Sequence, residues 1–146
     1  MKKNVIIVIV LGILTGFLFG NLIYKNYSGI EYLNEDGNIY YVQYGVYTSQ
    51  DAALSNASNL DNYLIQEMDD KYYVYLGVTT NYNTALKIQN LYNEQDIHTY
   101  IRSDYVSNSE TLNKLKEYDL KLEDLEQEEE IKEVIKEIFS ESSLNL

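Results

Sequence analysis

Sixteen tyrosines, a single histidine and no cysteine define the chemistry open to this 146-residue chain. Without cysteine there is no thiolate nucleophile, no disulfide, no cysteine-ligated zinc and no lipidated N-terminal cysteine. His98 stands alone, so a nucleophile–base pair or a histidine-built zinc site has too few members. Glu128, Glu129 and Glu130 supply carboxylates, but successive residues on a helix point in different directions, and the run reads as a solvated face. No glycine loop of the phosphate-cradling kind is present. The expectation is therefore a non-catalytic chain with no cofactor and no metal. Tyrosine is the chemistry that is left. With no tryptophan and only three phenylalanines, tyrosine carries most of the aromatic area, each ring ending in a hydroxyl that can donate or accept.

Charge narrows the partners. The net charge is −12, with residues 1–37 balanced, residues 38–102 at −4 and residues 103–146 at −8. Phosphate binding needs a basic stripe that releases counterions, and there is none, so nucleic acid is excluded. An anionic membrane surface is an equally poor partner, apart from a spanning segment.

Such a segment is legible at the N-terminus. Val5 to Gly20 carries no charge, and Asn21 to Tyr24 extends the run to 20 residues, the length of helix that crosses a bilayer. A cleaved signal would have a shorter apolar region and a small-residue cleavage site, yet the first alanine is Ala52. Residues 1–24 are thus expected to form an uncleaved anchor. Lys2 and Lys3 precede it and only Lys25 follows closely, which places the N-terminus in the cytoplasm and the remainder outside. Gly12, Gly16 and Gly20 line one face of that helix at four-residue spacing, the packing surface for a homodimer through the membrane. Residues 25–38 read as a short linker.

The elements that position the tyrosines come from an internal repeat. Residues 40–54 (YYVQYGVYTSQDAAL) and 72–86 (YYVYLGVTTNYNTAL) agree at eight of fifteen positions at an offset of 32. Each copy opens with an aromatic and β-branched run that suits a strand. A Thr/Ser/Asn/Asp cluster follows, the usual place for a helix cap, and then apolar residues at helical spacing. Further strands are expected at Tyr63 to Met68, turned by Asp69-Asp70, and at Ile97 to Arg102. The order βαββαβ predicts an α+β, ferredoxin-like, four-stranded antiparallel sheet with both helices on one face. The other face stays open, as antiparallel sheets tolerate.

Alternation assigns the faces. Val42, Tyr44, Val74, Leu76, Val78, Ile97, Thr99 and Ile101 are expected toward the helices, with Tyr41, Gln43, Tyr73, Tyr75, His98, Tyr100 and Arg102 opposite. A bulge near Gly45 or Gly77 would shift that parity. The candidate binding residues are Tyr41, Gln43, Tyr73, Tyr75 and Tyr100.

At Val42, Gln43, Tyr44, Gly45 and Tyr47, followed by Ala53 and Leu60, the sequence resembles the SPOR, or sporulation-related repeat, family; Tyr73 to Leu91 matches the family's second strand and helix. The resemblance spans about residues 39–104. It implies the same βαββαβ fold and binding of peptidoglycan glycan strands stripped of stem peptides, in the cell envelope, during cell division or sporulation. It also implies that Gln43 is a glycan contact, whereas the tyrosines follow from parity. The chain departs from the family pattern where Gly77-Val78-Thr79 stands in place of Gly-Pro-Phe, and in having a tail beyond the domain. The linker is short as well: extended, it spans at most about 50 Å, so only membrane-proximal glycan lies within reach.

Residues 107–146 form an acidic tail. Ser107 to Glu110 has capping-box spacing; Leu112, Leu115, Tyr118, Leu122 and Leu125, then Ile131, Val134, Ile135, Ile138 and Phe139, recur at helical steps. Two amphipathic helices, or one broken near Gln127, are expected. Their apolar stripe either packs on the domain or docks a protein partner. Two functions follow: a membrane-anchored glycan-binding module, or an extracytoplasmic protein-docking scaffold using the same fold and tail.

Overall fold

Eight elements follow one another along the chain: β1 (Asn38–Tyr47), α1 (Gln50–Ala57), β2 (Leu64–Met68), β3 (Lys71–Thr79), α2 (Tyr82–Asn93), β4 (Tyr100–Tyr105), α3 (Ser109–Asp124) and α4 (Glu128–Ser140). They belong to a computed structural model that describes residues 37–141 and 144. The anchor at 1–24, with Gly12, Gly16 and Gly20, and nearly all of the linker lie outside the described residues. Among the described residues no helix is long and apolar enough to cross a membrane.

The sheet is antiparallel with strand order β2-β3-β1-β4, the order that a split pair of βαβ units produces. The strands that open the two repeats, β1 and β3, are its centre. The repeat also extends to the caps. Ser49 Oγ accepts the Ala52 amide at 3.3 Å and Asn81 Oδ1 accepts the Asn83 amide at 2.8 Å, so each helix starts with one of its orphan donors satisfied. Between β2 and β3, Asp69 and Asp70 both take left-handed φ values, 50° and 58°, the twist that a two-residue hairpin requires.

α1 lays Ala53 and Ala57 on Val74. α2 lies against the centre of the sheet through Ile88, which sits so close to Gly77 that a Cβ there would meet Ile88 Cγ2 at 3.0 Å. The register explains why a glycine occupies that place. Val42 pairs with Gly77, but its neighbour Gln43 pairs with Tyr75, so Leu76 is an extra residue in β3. Gly77 therefore faces α2, and Val78, expected toward the helices, lies opposite Tyr41 instead. Alternation fails there because it assumes an unbroken ladder.

β4 also begins later than its composition implies, at Tyr100 and not at Ile97. Asp96 has φ 59°, and the Ile97 amide turns back to the Tyr92 carbonyl at 3.0 Å. Residues 94–97 thus close α2 with no glycine at the left-handed position. Ile97 packs on the core as the plug of that cap.

The tail forms two helices that pack on the domain. Asn108, one residue past Ser107, caps α3 by accepting the Glu110 amide at 2.9 Å. Leu115, Leu122, Ile131, Ile135 and Ile138 are buried in the same cluster as Ile39, Val42, Leu76 and Ile88. Each such side chain contributes about 1.5–3 kcal/mol relative to exposure. Polar contacts pin the pair: Lys87 Nζ donates to the Leu122 carbonyl at 2.9 Å, and Asn62 Nδ2 donates to the Lys132 carbonyl at 3.1 Å. The deepest is Asp119, only 8% exposed. Its carboxylate accepts the Thr79 hydroxyl, the Thr80 amide at 2.8 Å and the Thr80 hydroxyl at 2.6 Å.

Candidate functional site

Opposite α1 and α2, three tyrosines from the two central strands form a ladder. The Tyr41 and Tyr75 rings stack with centroids 4.3 Å apart, and Tyr73 lies 6.2 Å beyond Tyr75 at an interplanar angle of 16°. Arg102 on β4 ties the ladder across the sheet. Its guanidinium sits 4.9 Å from the Tyr73 centroid, and Nη1 donates to Tyr75 Oη at 3.2 Å, a cation–π contact joined to a hydrogen bond. Nη2 reaches Asp104 at 3.4 Å. Gln43 stands opposite Tyr75 on one side and Tyr100 on the other.

Thus Tyr41, Gln43, Tyr73, Tyr75 and Tyr100 share one side of the sheet, as alternation implies. Their exposure is another matter. Tyr75 is fully buried and Tyr41 nearly so, whereas Gln43 and Tyr73 are half-buried and Tyr100 is 69% exposed. The expectation of a bare tyrosine surface therefore needs correction at Tyr41 and Tyr75. Stacked aromatic rings exclude water from one another, and parity alone carries no such information. Burial pushes the Tyr75 hydroxyl up to about 12 against the pull of Arg102. Burial likewise raises Tyr41, opposed by a hydrogen bond with Gln66. Both are neutral phenols at physiological pH, able to donate and accept but not to act as bases.

Beside the ladder a groove of about 320 Å³ opens between Tyr41, Gln66, Glu67, Asp104 and Tyr105. Tyr105 is 63% exposed. Its ring is held over Gly37, whose φ of 121° favours glycine and where an added Cβ would lie 2.4 Å from Tyr105 Cε2. The groove combines aromatic faces with an amide and two carboxylates, a set that suits sugar C–H faces and hydroxyls. Tyr105, Asp104 and Gln66 lie outside the set that alternation assigns to the site. The late start of β4 hid the first two; Gln66 had a signal, its alternation with Leu64 on the tyrosine side of β2.

His98 is exposed on the α2–β4 connection, and among the described residues no group of three histidine, cysteine or acidic side chains could hold a metal ion. Lys132 is committed to Glu128 at 2.7 Å and Asp61 at 3.2 Å. A second groove, of about 430 Å³, runs between α2 and α4 past Leu86, Leu91, Glu94 and Ile131.

No family model matches the chain, and neither the curated proteins nor the solved structures contain a match.

Proposed function

We propose that this chain is a non-catalytic, membrane-anchored module of the bacterial cell envelope that binds peptidoglycan glycan strands, in division or sporulation. The observation that carries the reading is the tyrosine ladder on the side of the sheet away from α1 and α2, bordered by a groove with an amide and two carboxylates. Its support from sequence is the SPOR-like pattern around Gln43 and the anchor at residues 1–24. In this reading the N-terminus is cytoplasmic, the domain lies outside, and Gly12, Gly16 and Gly20 pair two anchors.

Burial redistributes the roles. Tyr41 and Tyr75 form the platform, while Gln43, Tyr73 and Tyr100 make the contact, with Tyr105 at the groove. An exposed ring stacked on a sugar contributes on the order of 1 kcal/mol. The alternative, a docking scaffold that uses the sheet or the tail, keeps the sheet face and the groove between α2 and α4, while the tail's apolar stripe is in the domain's own core.

The test is co-sedimentation of the full chain, in detergent micelles, with purified wall sacculi. Wild type is expected to be retained, and Gln43→Ala, Tyr73→Ala and Tyr100→Ala are each expected to weaken retention by roughly fivefold to tenfold. No retention of the wild type, with the melting transition intact, would leave the docking reading in its place.

A further inference from the structure

We propose that the groove between α2 and α4 docks a basic, amphipathic helical segment of a partner protein, independently of glycan and away from the tyrosine ladder. The floor of this groove, about 430 Å³ in volume, is apolar. Leu86 and Leu91 on α2 are half-buried and Ile131 on α4 is buried. Leu91 and Ile131 belong to the core, whereas Leu86 stands outside both apolar clusters of the domain. Two contacts brace the walls. Lys87 Nζ donates to the Leu122 and Glu123 carbonyls at 2.9 and 3.2 Å, and Gln95 Nε2 donates to Glu128 Oε1 at 2.8 Å. The groove is therefore formed before anything enters it, which lowers the ordering cost of binding.

Charge identifies the occupant. Glu94 and Glu126 line the groove and are exposed, and among the described residues neither carboxylate is in an ion pair or a side-chain hydrogen bond. Lys87 cannot neutralise them, because its ammonium is turned to the two carbonyls, and Lys132 is held by Glu128 at 2.7 Å. A purely apolar occupant would take two carboxylates out of water without a partner, which is costly. An acidic occupant would be repelled, and a sugar has no aliphatic side chains for the floor. A segment with aliphatic residues on one face and lysine or arginine beside them meets both demands, the pattern of helix-in-groove recognition. From Asn83 to Glu94 the floor follows α2 for about 16 Å, the length of roughly three helical turns.

Fluorescence anisotropy tests the docking site with the full chain in phosphatidylcholine nanodiscs, the signal of empty nanodiscs subtracted. The probe is a labelled leucine–lysine peptide of about four helical turns, with leucine on one face and lysine on the rest. Saturable binding is expected. Glu94→Lys and Glu126→Lys should each weaken it roughly tenfold by setting like charges together. Glu117→Lys on α3, the same charge change at an exposed position outside the lining, should weaken it about twofold or less. Leu86→Ala, which shortens the apolar floor, should weaken it roughly fivefold. The substituted side chains are exposed or half-buried, so each variant should keep its melting transition. A peptide of the same composition with its leucines scattered round the helix should bind roughly tenfold more weakly than the probe. No saturable binding, equal weakening by Glu117→Lys, indifference to all three groove substitutions, or a scattered peptide that binds as well would each overturn the docking site.

Discussion

The two faces of the sheet solve different problems with different residues. On one side, Ala53 and Ala57 of α1 and Ile88 of α2 bury small and branched side chains against Val74, Gly77 and Val42. On the other, Tyr41, Tyr73, Tyr75 and Arg102 bind mainly to one another through stacking and a hydrogen bond. The aliphatic face secures the fold by removing area from water. The aromatic face keeps its polar groups oriented, at the expense of burying two phenols. Substitutions on the first should therefore change stability alone, and substitutions at the rim of the second should change binding alone.

The largest effect is expected where the two roles meet. Tyr75→Ala removes a fully buried ring and leaves Arg102 Nη1 without its acceptor, and should destabilise by about 3–5 kcal/mol in chemical denaturation. Ile135→Ala, in α4, should cost about 2–4 kcal/mol in the same measurement. In the folded fraction it should leave sacculus retention unchanged, because Ile135 belongs to the core and not to the tyrosine face.

Asp119 sharpens the comparison through pH. Burial raises its carboxyl from the ordinary value, against the opposing pull of the bonds from Thr79 and Thr80. A raised folded value means that the native state binds the proton more readily than the unfolded chain. The charged form therefore weighs against folding above that value, and the penalty disappears as pH falls through it. Relative to Asp119→Asn, wild type should gain stability as the pH is lowered from neutral into the carboxyl range. Asp119→Ala, which strands the Thr80 hydroxyl and amide, should lose about 1–3 kcal/mol at neutral pH. The smallest stability effect belongs to Tyr100→Ala, at roughly 0.5 kcal/mol or less, together with the weakened sacculus retention.

How much of this was legible in sequence follows the locality of the cause. The duplicated strands, their capped helices and the Asp69-Asp70 turn are local, and residue types sufficed for all of them. The tail helices and their break near Gln127 were equally plain from the spacing of Leu115, Leu122, Ile131 and Ile135. Non-local causes escaped. The extra residue at Leu76 is defined only by pairing with β1, so Val78 was placed on the wrong side. Ile97 looked like a strand residue because nothing in its type reveals that its amide bonds back to Tyr92. Nothing local singles out Asp119, because its partners Thr79 and Thr80 come from the end of β3. Tyr41 and Tyr75 were put on their proper side, but their closure follows from stacking between strands.

The central claim is that the rim of the tyrosine face, not the helical hairpin, meets glycan. Hydroxyl-radical footprinting of the full chain in nanodiscs, with and without purified glycan strands, reads this directly at each ring. The account predicts protection of Tyr73, Tyr100 and Tyr105 on adding glycan, with Tyr118 of α3 unchanged. Protection confined to the hairpin, or none at the three rim tyrosines while the chain is bound, would contradict it.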